Sequence, residues 1–266
     1  MSRIALVVSD VDGTLLTKDK TLTEAASGAV RRLHEAGIGF TIVSSRPMIG
    51  MRFLVEPLDI TLPIGSFNGS CIVDPKLNPI ELHLIPDSAA QRSLDVLNQF
   101  GVDIWLFTRD LWITRRPDGE YVPHEKRAIR IDPTIVDDFR PYLSAACKIV
   151  GSSSDAELLQ RCEAAMQAAL GAQATAVRSQ SYYLDVTPPG RDKGTFVQAM
   201  AKHTGISTAA VATIGDMEND LAMFRTSGMS IAMGNASDDV KKHATRVTSS
   251  NEDEGFAGAI DMILKM

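Results

Sequence analysis

Ile4-Ala5-Leu6-Val7-Val8-Ser9-Asp10-Val11-Asp12-Gly13-Thr14-Leu15 is the stretch that decides how this chain folds. A short apolar run bounded by a turn reads as a buried strand. The run is delivered into two carboxylates two positions apart, then into a glycine that permits a sharp turn. Far downstream, Ala209-Ala210-Val211-Ala212-Thr213-Ile214 ends in Gly215-Asp216-Met217-Glu218-Asn219-Asp220. Two buried strands with acids at their carboxyl ends imply one shared pocket for a hard divalent cation. Mg²⁺ takes oxygen ligands, keeps several waters, and needs only one or two protein carboxylates when phosphate oxygens supply the rest. The pair of strand ends therefore predicts a Mg²⁺-dependent phosphoryl-transfer site.

Around the first strand the chain alternates strand and helix. Thr21-Leu22-Thr23-Glu24 has capping-box spacing, and Ala25, Ala26, Ala29, Val30 and Leu33 then form a helical apolar face that Gly37 ends. Residues 38–43 read as a second strand, Pro47 opens a helix to about residue 56, and residues 63–67 read as a third strand. Continuous apolar strands alternating with helices imply a parallel sheet covered on both faces. The middle of the chain changes character. Asp87 or Ser88 can cap a helix with Leu94 and Leu97 inward, ending at Gly101. Residues 102–115 hold both tryptophans and suit antiparallel strands, and Pro117-Asp118-Gly119 marks a turn. Residues 148–150 read as a strand. Ser154-Asp155-Ala156-Glu157 reads as a second capping box, before a helix with Leu158, Leu159, Cys162, Met166 and Ala169 on one face. The last third returns to alternation. The expected fold is α/β: a Rossmann-like, doubly wound parallel-sheet core from residues 1–83 and 186–266, with an inserted α+β cap from residues 84–185.

At 266 residues the chain has room for two such units. Its composition, 44% hydrophobic and 23% charged, is that of an ordinary globular protein. A net charge of −6 without a basic block argues against nucleic acid or an anionic membrane as partner. Cys71, Cys147 and Cys162 form neither a zinc spacing nor a disulfide framework. With no secretory pattern and no membrane-length apolar run, the expected location is the cytoplasm.

Asp10-Val11-Asp12-Gly13-Thr14-Leu15 resembles the first motif of the haloacid dehalogenase superfamily, and Gly215 through Asp220 its fourth. Ser44-Ser45-Arg46, Phe67-Asn68-Gly69-Ser70, Pro189-Gly190-Arg191-Asp192-Lys193-Gly194 and Ala232-Met233-Gly234-Asn235-Ala236 fall between and after them in the order of its Cof-type phosphatases. The resemblance implies Asp10 as nucleophile and Mg²⁺ ligand. It implies Asp12 as general acid and base, also completing the metal shell through its backbone carbonyl, and Asp216 as a further ligand. Asp220 would orient Asp216, while Lys193 would neutralise the nucleophile and the phosphoryl group. Ser44, through its hydroxyl and N–H, and Asn219 would bind phosphate or substrate. The family usually has glycine where this chain has Ser45, a side chain that would either narrow the approach to the phosphate or add another donor, and that bears on substrate size more than on chemistry.

The resemblance thus implies hydrolysis of a small phosphorylated metabolite, such as a sugar phosphate, through an aspartyl-phosphate. A phosphomutase of the same superfamily would share these residues but needs several cap cations, for which Arg109, Arg115, Arg116, Lys126 and Arg127 are the candidates. A non-catalytic phospholigand-binding module would be expected to have lost the acids. Trp105, Trp112, His124 and Glu125 lie in the expected cap, where substrate selection belongs.

Overall fold

The computed structural model describes residues 3–266. Along the chain, β1 (Leu6–Ser9) is followed by α1 (Glu24–Glu35), β2 (Gly39–Ile42), a 3₁₀ turn running into α2 (Arg52–Val55), and the short strands β3 (Ile64–Ser66), β4 (Cys71–Val73) and β5 (Pro79–Leu82). Then come α3 (Asp87–Phe100), β6 (Asp103–Phe107), β7 (Trp112–Thr114), α4 (Val122–Ile129), β8 (Thr134–Ile135), β9 (Lys148–Ser152), α5 (Ala156–Leu170), β10 (Thr175–Gln180) and β11 (Tyr183–Thr187). The chain returns through α6 (Lys193–Thr204), β12 (Val211–Gly215), α7 (Leu221–Thr226), β13 (Met229–Ala232), α8 (Asp238–Lys242), β14 (Arg246–Val247) and α9 (Gly255–Leu264).

The core sheet is all parallel, in the order β14-β13-β12-β1-β2. The chain leaves β1 for β2 on one side and comes back to β12 on the other. The β1/β12 carboxyl ends are therefore the topological switch, where open α/β sheets bind ligands. Alternate strand residues face opposite ways. Val7, Phe40, Ile42 and Ile214 pack with α1 and α9, whereas Leu6, Val8 and Val211 pack with α6 and α7. The doubly wound expectation holds.

The inserted elements form a second sheet, ordered β10-β11-β9-β6-β7-β8 and mostly antiparallel. Ile104, Leu106, Ile149, Leu184 and Val186 bury against α3 and α5. The alternating residues Trp105, Phe107, Trp112, Val150 and Tyr183 join the cluster of the core instead. One face of the second sheet is thus its own interior, and the other is a ceiling over the carboxyl ends of β1 and β12.

Several local readings shift. The cap of α1 is Thr23, whose hydroxyl oxygen accepts from the Ala26 N–H at 3.1 Å. That hydroxyl also donates to Glu254 at 2.8 Å, a tertiary contact that draws the helix start past Thr21 and leaves Ala25 exposed. Helix α3 begins behind Pro86 with no side-chain cap. Asp155, not Ser154, caps α5 by accepting from Leu158 N at 2.9 Å, so the buried stripe ends at Leu170 and Ala169 is exposed. The hairpin of β4 and β5 was not anticipated. Strand β3 continues the core sheet through a parallel bridge of Gly65 to Val43, but pairs antiparallel with β4. Strand β5 is exposed at every position, so it carries neither an apolar run nor an alternation to be read.

Candidate active site

Asp10 leaves the end of β1 and Asp216 the end of β12, and both are buried. Gly13 lets them approach: its φ is +82°, and a Cβ there would collide with Asp216 Oδ2. Asp216 Oδ1 accepts from the Thr14 hydroxyl at 3.0 Å, and its Oδ2 accepts from Asn235 Nδ2 at 3.1 Å. Asp220 serves the same loop from below. Its Oδ2 accepts the backbone N–H groups of Asp216 and Met217 at 2.8 and 2.9 Å, and Gly215 leaves room for its carboxylate.

Lys193 is the first residue of α6, capped by Asp192, whose carboxylate accepts from Thr195 N at 2.8 Å. A cation is disfavoured by the dipole at a helix start, and this one is only 1% exposed. It is held there by acids: Nζ donates to Asp10 Oδ1 at 2.5 Å and to Asp220 Oδ1 at 2.6 Å. Burial would lower its pKa, yet the two carboxylates push it above the ordinary lysine value.

One oxygen from each of Asp10, Asp216 and Asp220 lies within 4.8 Å of the others. Three buried carboxylates face one ammonium, so negative charge is in excess. Burial, less the pull of Lys193 and with the repulsion of Asp220, pushes Asp10 up to about 7. Burial and the Asp10 charge raise Asp216 well above the carboxylate range. A set of hard oxygen donors with uncompensated negative charge fits a divalent cation. Asp220 accepts three donors, the Lys193 ammonium and two backbone N–H groups, whereas Asp216 accepts one neutral donor on each oxygen and Asp10 only Lys193, so Asp10 and Asp216 are the residues better suited to hold it.

Asp12 faces a different way. Arg46 grips it with Nε to Oδ2 at 2.6 Å and Nη2 to Oδ1 at 2.7 Å, and Lys20 Nζ reaches Oδ1 at 2.8 Å. Burial would raise this carboxyl, but the two cations hold it well below the usual range. Arg46 also donates to the carbonyls of Gly50 and, across to the second sheet's unit, Ala128. Ser44 is buried. Its N–H donates to Gly65 O at 3.0 Å, which corrects the expectation of a phosphate-binding amide, and its hydroxyl oxygen accepts from Arg46 N at 3.2 Å. The Ser45 carbonyl accepts from Lys148 Nζ at 2.9 Å. Asn219 Nδ2 donates to Asn68 Oδ1 at 3.0 Å, while Asn219 Oδ1 and Asn68 Nδ2 are buried without partners among the described residues.

Between Asp12 and the ceiling lies a cavity of about 30 Å³, walled by Ser45, Arg46, Glu125, Lys148, Tyr182 and Tyr183 among others. Of the sequence candidates, Glu125 and His124 reach it, whereas Trp105 and Trp112 do not line it and pack edge-on to each other at 5.3 Å. None of the five cations a phosphomutase would call on lines it: Arg109, Arg116 and Lys126 pair with Asp110, Asp103 and Asp132, Arg115 bonds Asn98, and Arg127 is exposed. Thr14, Lys20, Asn235 and Lys148 were not singled out by sequence reasoning. Lys148 carried a signal, a lysine opening an otherwise apolar strand.

A fold with acids gathered at its switch point and a second sheet roofing them defines a class that the comparisons name. The family model for haloacid dehalogenase-like hydrolases matches residues 7–260, and the chain belongs to that family. It is 28% identical over 283 aligned positions to the 5-amino-6-(5-phospho-D-ribitylamino)uracil phosphatase YwtE of Bacillus subtilis, covering 97% of each chain. It is 26% identical to the pyridoxal phosphate phosphatase YbhA of Escherichia coli, over 95% of this chain and 96% of that one. A haloacid dehalogenase-like hydrolase from Bacteroides thetaiotaomicron superposes with a TM-score of 0.85 at 27% identity, over 98% of this chain and all of that one. Among the described residues no helix is long and apolar enough to cross a membrane.

Proposed function

We propose that this phosphoric monoester hydrolase uses Asp10 as nucleophile and Mg²⁺ as cofactor to release phosphate from a small phosphorylated metabolite. The observation that carries the reading is Lys193, buried and bridging Asp10 to Asp220 beside Asp216. Lys193 donates to one Asp10 oxygen, and of the two oxygens one attacks phosphorus while the other would face the cation. The P–O bond to the alcohol breaks as the Asp10–phosphorus bond forms, and the alcohol leaves with a proton from Asp12. Asp12 then takes a proton from the water that attacks the aspartyl-phosphate, returning Asp10 and inorganic phosphate. Mg²⁺, held by Asp10 and Asp216, would neutralise phosphoryl charge. The ion pairs of Asp12 suit the second step, where a carboxylate is needed. In the first step the incoming phosphate competes for Arg46 and Lys20, which loosens the hold that keeps Asp12 ionised. The second sheet and its helices, residues 84–185, act as the substrate-selecting cap.

A hydroxyl of a sugar or polyol phosphate suits the polar cavity beside Asp12. The test is release of inorganic phosphate from p-nitrophenyl phosphate and a panel of metabolite monoesters with Mg²⁺. Isomer formation without net phosphate release would favour a mutase, and recovery of every ligand unchanged would favour a binding module.

A further inference from the structure

Lys148 opens β9 and is only 4% exposed. It shares a strand face with Val150, which packs with the core, whereas Ile149 packs inside the second unit. Two acids of its own unit act on it. Asp185 Oδ2 lies 3.4 Å from Nζ, and Glu125, whose carboxyl burial raises, feels the pull of Lys148 across the cavity they both line. The shorter bond of the ammonium leaves that unit altogether: Nζ donates to the Ser45 carbonyl at 2.9 Å. The Ser45 peptide carries the line onward. Its N–H, that of Arg46, donates to the Ser44 hydroxyl oxygen at 3.2 Å. The backbone of Ser44 is already spent, since its N–H bonds Gly65 O at 3.0 Å and its carbonyl accepts from Asn68 N at 2.9 Å. With its oxygen accepting from Arg46, the hydroxyl has a proton left to give, and among the described residues no acceptor takes it.

Resting on the phosphatase reading above, we infer that Lys148 is a positioning residue carried by the cap: by holding the Ser45 peptide it aims the Ser44 hydroxyl at the transferring phosphoryl group. An ammonium on a carbonyl oxygen polarises the peptide, so the N–H at its other side donates more strongly. That N–H occupies an acceptor site of Ser44 Oγ and turns the O–H away from it. A donor fixed before charge develops on the phosphoryl oxygens stabilises the transition state without having to reorganise. The surroundings of Lys148 agree with a task on the core side. Lys148 and Asp185 make a long buried ion pair, and Asp185 Oδ1 has no hydrogen-bond partner among the described residues. Such a pair is weak as a device for stability alone. Because the bond to Ser45 crosses from the second sheet to the core, the Ser44 hydroxyl is aimed only while the cap is seated.

The test is a double-mutant cycle of Lys148→Met and Ser44→Ala, read as kcat/KM for phosphate release from p-nitrophenyl phosphate and glycerol 1-phosphate with Mg²⁺. Ser44→Ala is expected to lower both by about 10²-fold, the scale of one lost transition-state donor. Lys148→Met is expected to lower both by about 10-fold. The double variant should fall no more than about threefold below Ser44→Ala, because the lysine then has nothing to aim. Losses that multiply in the double variant would make Lys148 a structural tie between cap and core, and overturn the inference. A Lys148→Met loss confined to glycerol 1-phosphate would make it a contact of the leaving group and overturn it as well. So would turnover of Lys148→Met within about twofold of wild type. If Lys148→Met fails to fold by its thermal transition, every protein of the cycle is rebuilt with Asp185→Asn, so that no carboxylate is stranded, and the same coupling decides. No phosphate release from either ester by wild type would instead remove the phosphatase reading itself.

Discussion

The floor and the ceiling of the site are built on opposite rules. On the floor, Lys193 is shared by Asp10 and Asp220, Asp220 is bonded to two backbone amides, and Asp216 is held by Thr14 and Asn235. Nearly every polar group there is fixed by the protein, and the excess is one of negative charge aimed at a cation. On the ceiling side, Glu125 is buried with Lys148 and Arg46 acting on it only through space, and among the described residues the amide atoms Asn68 Nδ2 and Asn219 Oδ1 at the rim of the floor have no hydrogen-bond partner. The difference teaches where a phosphatase can vary. Chemistry is fixed by strand ends that the fold forces together, while selectivity is left to side chains whose partner arrives with the substrate.

The largest effect should come from the floor. Asp10→Asn is expected to lower steady-state turnover by at least about 10⁴-fold, the scale of losing a nucleophile. The fold should survive, because the neutral amide relieves repulsion among the acids. Turnover within tenfold of wild type would erase the distinction between floor and ceiling. Lys193→Met should cost about 3–5 kcal/mol of stability as well as activity, since it strands two buried carboxylates. A denaturant titration measures this, and a midpoint equal to wild type would mean the acids are not repelling one another.

Next in size is the response to metal and pH. Asp10 is raised to about 7 without metal, above its unfolded value of about 3.9. A carboxyl raised in this sense contributes stability at low pH that is lost as pH rises through the folded value. The metal-free protein should therefore lose stability from this group between about pH 4 and 7. Added Mg²⁺, favouring the ionised form, should raise the melting temperature more at pH 8 than at pH 5, and an increment larger at pH 5 would contradict the charge excess. The smallest effect belongs to the seam of cap and core. Arg178 lies 3.8 Å from Glu218, which is half exposed, and such pairs contribute little. Glu218→Gln should shift stability by less than about 0.5 kcal/mol.

The floor was legible in the sequence because it is local to strand ends. Asp10, Asp216 and Lys193 each follow an apolar run or a helix cap that announces their position, and the central glycine, Gly13, has a single conformational reason. What escaped is non-local. Asp12 and Asp10, two residues apart, diverge because Arg46 and Lys20 claim one and Lys193 the other, and no spacing encodes that. The Ser44 amide was lost to Gly65 of a strand whose pairing was not readable. Lys148 and Glu125 lie 23 positions apart by number and come together only through the cap's fold. Capping boxes failed for the same reason: Thr21 and Ser154 fit the pattern, but Thr23 and Asp155 fit the surroundings.

The most direct test of the account is the covalent intermediate itself. Asp12→Asn should leave Asp10 able to attack but slow the hydrolysis that follows by about 10²–10⁴-fold, because water loses its base. Rapid mixing of that variant with p-nitrophenyl phosphate, acid quench and peptide mapping should give a burst of nitrophenol and a phosphoryl group on the peptide carrying Asp10. Phosphate on another residue, or no phospho-enzyme while turnover remains slow, would contradict the assignment of Asp10 as nucleophile and Asp12 as its base.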